Sequence, residues 1–163
     1  MPRKQRVLKR PTIAPDKKFG SILVSRLINR IMWDGKKTVA VKIVNDALTK
    51  ASDELKVAPV EVLETVLSNT QPQVEVKSVR VGGANYQVPI EPYPARAMRL
   101  GLSWVVDGAR AIKGKPMSEK LATLLIQSFK NEGPAVAKKN TVHQTAAGNK
   151  AFAHLASRMS KKK

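Results

Sequence analysis

Apolar residues recur at helical spacing along most of the chain. From Ser21, the residues Ile22, Leu23, Leu27, Ile28 and Ile31 fall on one stripe, Arg26 and Arg30 lie on its wetter side, and the pattern stops at Asp34-Gly35. A second stripe joins Val41, Val44, Leu48, Ala51 and Leu55, with Ala40 and Ala47 beside it, and "KVAP" breaks it. Pro59 is preorganised for a first helical turn and opens a short third helix carrying Val62, Leu63, Val66 and Leu67. A fourth follows Pro92 and Pro94, with Met98, Leu102, Val105, Ala109 and Ile112 on one face and Arg96, Arg99, Ser103 and Arg110 on another. Gly101 and Gly108 weaken that helix unless something packs close to them. Met117, Leu121, Leu124, Leu125 and Phe129 define a fifth helix, which "NEGP" stops. The Ala-rich segment from Thr141 to Leu155 is expected as a sixth, with Val142, Ala146, Ala153 and Leu155 available for packing.

Between the third and fourth helices the period changes to two. In "VEVKSVRVGGANYQVPIEP", residues 74–92, Gly82 and Gly83 are suited to a two-residue turn because both tolerate positive φ. That turn pairs Val81 with Ala84, Val79 with Tyr86 and Lys77 with Val88 on one face. On the other it pairs Arg80 with Asn85, Ser78 with Gln87 and Val76 with Pro89. A lone two-stranded ribbon is marginal in water, so it either lies on its own helices or reaches for a partner. The connections are short and no fixed period recurs, so the fold class is all-α: a compact bundle of five to six helices with one β-hairpin. The organisation is a basic N-terminal arm over 1–18, a single helical domain over 19–155 that includes the hairpin at 74–91, and a basic tail over 156–163.

Charge changes the picture from a generic bundle to a binding protein. The 163 residues carry 30 Lys and Arg against 12 Asp and Glu, a net +18 that repels itself unless a polyanion neutralises it. Nucleic acid is the partner class this implies, and a membrane is not, because no apolar run approaches the length of a span and no basic amphipathic segment carries bulky aromatics. The excess is segregated. Residues 1–18 hold seven basic residues and one acid, 93–117 hold five and one, and the tail holds four and none, whereas the hairpin is neutral with Arg80 as the cation at its tip. Pro2, Pro11 and Pro15 would interrupt the amphipathic helix of an organellar presequence, so the arm is expected to stay attached. The absence of cysteine suits a reducing compartment, and a cytoplasmic location is expected.

No catalytic constellation emerges. "GKKT" at 35–38 fails as a phosphate-binding loop, since Arg30 and Lys37 stand where glycine and a hydroxyl are needed. "VGGANYQ" lacks the glycine spacing of a dinucleotide fingerprint. His143 and His154 are eleven residues apart, too far along a helix to share a metal, and the carboxylates sit mostly on the second and third helices as ordinary solvated groups. No enzyme activity, metal or cofactor is expected.

Several blocks agree in order and spacing with a known family: "MPRK" at 1–4, "PDKKFGS" at 15–21, "DGKK" at 34–37, "VEVKSVRVGGANYQVP" at 74–89 and "VHQTAAGNKAFAH" at 142–154. In these the chain resembles the small-subunit ribosomal protein seven family, bacterial type. The resemblance implies a helical bundle with a protruding β-hairpin, a structural role in the small subunit, binding to rRNA of the head and help in head assembly. It also implies that the hairpin tip, Arg80, Val81, Gly82, Gly83, Ala84, Asn85 and Tyr86, lies near the mRNA path and the exit-site tRNA, with small-subunit ribosomal protein eleven as a neighbour. Carried onto this chain, the RNA-facing role falls on Arg3, Lys4, Arg6, Lys9, Arg10, Lys36, Lys37, Lys77, Arg80, Arg96 and Arg99. The charge distribution extends the expected rRNA-binding set to Lys17, Lys18, Arg110, Lys113, Lys115, Lys138 and Lys139. The chain departs from the family at Val79, Ala97 and Ser103, where arginine is common. A DNA-bending architectural protein with a β-arm is the rival reading, although such an arm should itself be basic.

Overall fold

The computed structural model describes residues 12–156. Six α-helices follow in order, α1 (Ile22–Ile31), α2 (Lys37–Leu55), α3 (Pro59–Thr70), α4 (Pro94–Ala111), α5 (Met117–Phe129) and α6 (Pro134–Gly148). Strands β1 (Glu75–Val81) and β2 (Ala84–Ile90) stand between α3 and α4, and a 3₁₀ segment, Lys150–Ala156, closes the described chain. The expected class, mostly helical with one antiparallel hairpin, is what the molecule adopts.

Start and stop signals account for the boundaries. Ser21 caps α1, its Oγ accepting the Leu23 N–H at 3.2 Å. Asp34 and Gly35 then take left-handed φ values of 50° and 72°, and Lys36 N–H donates to the Trp33 carbonyl at 2.9 Å, which closes a tight turn before α2. Pro59, Pro94 and Pro134 each sit in the first turn of their helices, where a missing N–H costs nothing.

The core collects the predicted stripes except for Ile22, which stands in the first turn of α1 and is 48% exposed. Val24, Leu27 and Ile28 of α1, Val44 and Leu48 of α2, Val62, Leu63 and Val66 of α3, Val105 of α4, and Leu121, Leu124 and Leu125 of α5 are buried together. Helix α5 lies against α2, α3 and α4, so it is the central strut. The two α4 glycines have the close neighbours they require. A Cβ on Gly101 would stand 3.1 Å from Thr70 Oγ1 and 3.3 Å from the Gln71 amide nitrogen, and one on Gly108 would stand 3.2 Å from Leu124 and Pro134 side-chain atoms. Glycine there lets α4 approach α3 and α5 more closely than alanine would.

Three expectations are corrected at the C-terminal end. The sixth helix begins at Pro134, not near Thr141, because Gly133 at φ 89° turns the chain straight from α5 into a new helix. It stops at Gly148 and the rest winds as 3₁₀, which leaves Ala153 exposed and brings in Phe152, half-buried, instead. Ile112, expected on the α4 face, lies just past the helix end with extended backbone.

The hairpin has the expected register, Val81 opposite Ala84, Val79 opposite Tyr86 and Lys77 opposite Val88. Gly82 and Gly83 take φ 58° and 89°. Its base lies on the protein itself: β1 and β2 touch α6, β2 packs on the 3₁₀ segment, Val88 is fully buried, and the Tyr86 and Phe152 rings meet with centroids 5.2 Å apart. The apolar face thus finds a neighbour within the chain, while Gly82 to Asn85 stay exposed at the tip.

Candidate nucleic-acid interface

Helices α1 and α4 meet along a seam that gathers arginine from both. The Arg26 guanidinium reaches the Met98 sulfur, Arg30 pairs with Asp107 at 3.8 Å, and Arg110 donates to the Ile31 carbonyl at 3.4 Å. Partners rise in number together on the two helices, so the seam runs in one sense from Arg26 to Arg110. At its start a cleft of about 440 Å³ is lined by Ile13, Arg26, Asn29, Arg30, Met98 and Arg99, among others. A second cleft of about 840 Å³ continues from it through the shared Ile13 and Asn29 to Lys17 and Lys37. Three arginines and two lysines therefore line two neighbouring clefts that share Ile13 and Asn29.

Local folding explains why these cations point there. Asp16 Oδ2 accepts the N–H groups of Lys18 at 2.9 Å and Phe19 at 3.2 Å, and Gly20 N–H returns to the Asp16 carbonyl at 2.9 Å, with Gly20 at φ 64°. This carboxylate-held turn displays Lys17 to solvent and sets Lys18 over the Phe19 ring, 5.0 Å from its centroid, with Nζ donating to Thr49 Oγ1 at 3.2 Å. The Asp34-Gly35 turn does the same for Lys36 and Lys37, both exposed.

Other expected cations are divided between solvent and the fold. Arg80, Lys113, Lys115 and Lys138 are exposed. Arg96 points inward: its Nε donates to Glu75 Oε1 at 2.8 Å and Oε2 at 2.6 Å, and Lys77 Nζ stands 3.7 Å from the same carboxylate, whose residue is 6% exposed. A buried carboxylate on β1 thereby ties the hairpin base to α4. Lys139 Nζ donates to the Asn69 carbonyl at 2.8 Å, where a cation complements the C-terminus of α3. Arg3, Lys4, Arg6, Lys9 and Arg10 lie outside the described residues, as does the end of the tail. Sequence reasoning put Arg26 and Arg30 on the wet side of α1 but did not include them among the binding residues. Their spacing of four, off the apolar stripe, was the available signal. Of the family departures, Ala97 is buried, Ser103 Oγ donates back to the Arg99 carbonyl at 2.7 Å, and Val79 shares the docked hairpin face with Tyr86.

His143 of α6 accepts the Gln73 N–H through Nε2 at 3.1 Å, just before β1. Burial, and secondarily the Lys139 cation, hold its pKa below the ordinary imidazole value. A folded value depressed below the unfolded one of about 6.5 means this contribution is present above that pH and is lost as pH falls through the folded value, because the imidazolium cannot accept. The Gln73 amide resonance is expected to move with the His143 titration below pH ~6.5. An amide shift indifferent to the His143 titration wherever it falls on acidification would show that the contact does not hold the hairpin base.

Among the described residues no cluster of His, Asp or Glu could hold a metal ion, and no helix is long and apolar enough to cross a membrane. The sequence matches the family described as Ribosomal protein S7p/S5e over residues 2–150. Similar chains include the small ribosomal subunit protein uS7 of Thermosipho melanesiensis, 50% identical over 143 residues that cover 88% of this chain and 92% of that one. That of Thermotoga maritima is 49% identical over 152 residues, covering 93% and 97%. That of Symbiobacterium thermophilum is 50% identical over 154 residues, covering 94% and 98%.

Proposed function

The chain belongs to the ribosomal protein S7p/S5e family, and from that premise we propose that the groove along α1 and α4 binds the phosphate backbone of rRNA in the head of the small subunit. It is a structural constituent of the cytoplasmic small ribosomal subunit, not an enzyme, and its partners are rRNA and other ribosomal proteins. The observation that carries the groove reading is the convergence of Arg26, Arg30 and Arg99 on one cleft that continues to Lys17 and Lys37.

Beside that groove, Lys18 and Lys36 adjoin Lys17 and Lys37, and Arg110 lies at the far end of the α1–α4 seam, while Lys113, Lys115 and Lys138 add further exposed cations. The basic arm at 1–18 and the tail from 156 extend the contact as separate cationic elements, and residues 19–155 serve as the folded domain between them. Arg96, Lys77 and Lys139 act chiefly by holding the hairpin and α3 in place. The hairpin tip, exposed at Arg80 and from Gly82 to Asn85, reaches the mRNA path and the exit-site tRNA, with ribosomal protein eleven beside it. This part rests on the family likeness and on the exposure of the tip. Phosphate contacts supply affinity, and RNA shape supplies selectivity, because an A-form helix hides its base edges in a deep, narrow groove. The DNA-bending reading loses its footing with family membership and with a hairpin that is electrically neutral.

Competition between a head-domain rRNA fragment and duplex DNA at near-physiological salt tests the assignment. With roughly eight phosphates neutralised, the log-log salt slope for the rRNA is expected at about −6 to −7. A slope near zero, or equal competition by duplex DNA, would overturn it.

A further inference from the structure

Trp33 is the most exposed large hydrophobic side chain among the described residues, at 67%. Its position follows from the backbone. Met32 ends α1 in extended conformation, and the Asp34-Gly35 turn then folds back, so Trp33 projects from the junction of α1 and α2 instead of joining the core. The ring is not unattended. The Arg110 guanidinium stands 5.3 Å from its centroid and is itself anchored to the Ile31 carbonyl at 3.4 Å. Arginine holds part of the indole in place while two-thirds of the residue stays open to solvent.

An exposed tryptophan in such a setting can meet an apolar protein surface or a nucleobase. The surroundings favour the base. Lys36 and Lys37 follow in the same turn, Arg110 lies on the ring, and Arg30 is one helical step back along the seam. An apolar partner would have to strip water from these charges without neutralising them, whereas an RNA strand brings a π face for the indole and phosphates for the cations.

We propose that Trp33, oriented by Arg110, is a stacking platform for one unpaired base of the rRNA strand that follows the α1–α4 groove. The proposal rests on the groove reading above and adds to it a contact with a base. The ligand class is a single-stranded or bulged nucleotide, because a paired base has no free face to offer. Base stacking tolerates any base, so this contact supplies affinity and register more than sequence choice.

The test uses the full chain and a head-domain rRNA fragment, with Trp104→Phe as background so that Trp33 is the sole tryptophan. Adding the fragment is expected to quench Trp33 fluorescence. Trp33→Leu, which keeps an apolar side chain without the π face, is expected to weaken binding about tenfold with an unchanged salt slope, and Trp33→Tyr to recover most of the loss. Because Trp33 is exposed, thermal unfolding should not change, which separates a lost stack from a damaged fold. Unchanged affinity for Trp33→Leu, or emission that shifts only when the chain joins a whole subunit containing its protein neighbours, overturns the stack. If Trp33→Leu is silent while Arg26→Gln and Arg99→Gln weaken binding, the stack alone fails. If all three are silent, the groove reading fails with it.

Discussion

Replacing Arg26, Arg30 and Arg99 with glutamine in one chain is expected to weaken binding to a head-domain rRNA fragment about 100- to 500-fold at ~0.1 M salt. Each phosphate neutralised contributes about 0.7 to 0.9 to the log-log salt slope, so losing three contacts flattens it by roughly 2 to 3. The fold should survive. Arg30 and Asp107 form an exposed pair at 3.8 Å, which contributes little to stability, and Arg99 has no internal acid as partner among the described contacts. Removing the same number of charges from α2 and the residue that ends it, as Lys42→Gln, Lys50→Gln and Lys56→Gln, gives the control, since none of these lines the groove. Equal losses in both triples would mean that net charge, and not this seam, binds the RNA.

The second large effect concerns stability. Arg96→Ala leaves Glu75 with only Lys77 near it at 3.7 Å, in a site where the carboxylate residue is 6% exposed. Removing one partner of such a pair is expected to cost about 3 kcal/mol, below the upper end for fully buried pairs because Arg96 is itself partly solvated. Denaturant unfolding measures it, and the double change Glu75→Gln with Arg96→Gln should restore most of the loss by removing the stranded charge. If Arg96→Ala unfolds at the wild-type midpoint yet binds RNA as weakly as Arg99→Gln, then Arg96 is a phosphate ligand and not a tether. Two arginines three residues apart on α4 would thus differ in kind, one turned to Glu75 and one to the groove.

The helices and the hairpin register were legible because their signals are local. Apolar stripes at helical spacing, prolines in first turns and a glycine pair flanked by alternating residues carry their meaning within a dozen positions. Helix α6 was harder. Only Ala135, Val136 and Ala146 are buried along it, so alanine and threonine blur the stripe, and the same four residues "NEGP" both end α5 and begin the next helix. The roles of individual cations were the least legible. Arg96 and Arg99 look alike in sequence, and only the placement of Glu75, 21 residues from Arg96, separates them. Lys139 likewise reads as one more surface charge until Asn69, 70 residues away, is found beneath it. Net charge identified the partner class, whereas pairing across long sequence separations decides which cations are left for it.

The central claim is that rRNA runs along the α1–α4 groove. The chain contains no cysteine, so single cysteines introduced at Arg30, Arg99, Asn85, Asp53 and Glu61 can each carry a tethered RNA-cleaving iron chelate into assembled small subunits. Strong cuts in head rRNA are expected from positions 30 and 99, with those from 53 and 61, among the carboxylates of α2 and α3, weak or absent. Cleavage as strong from 53 and 61 as from 30 and 99, or none from 30 and 99, would contradict the account.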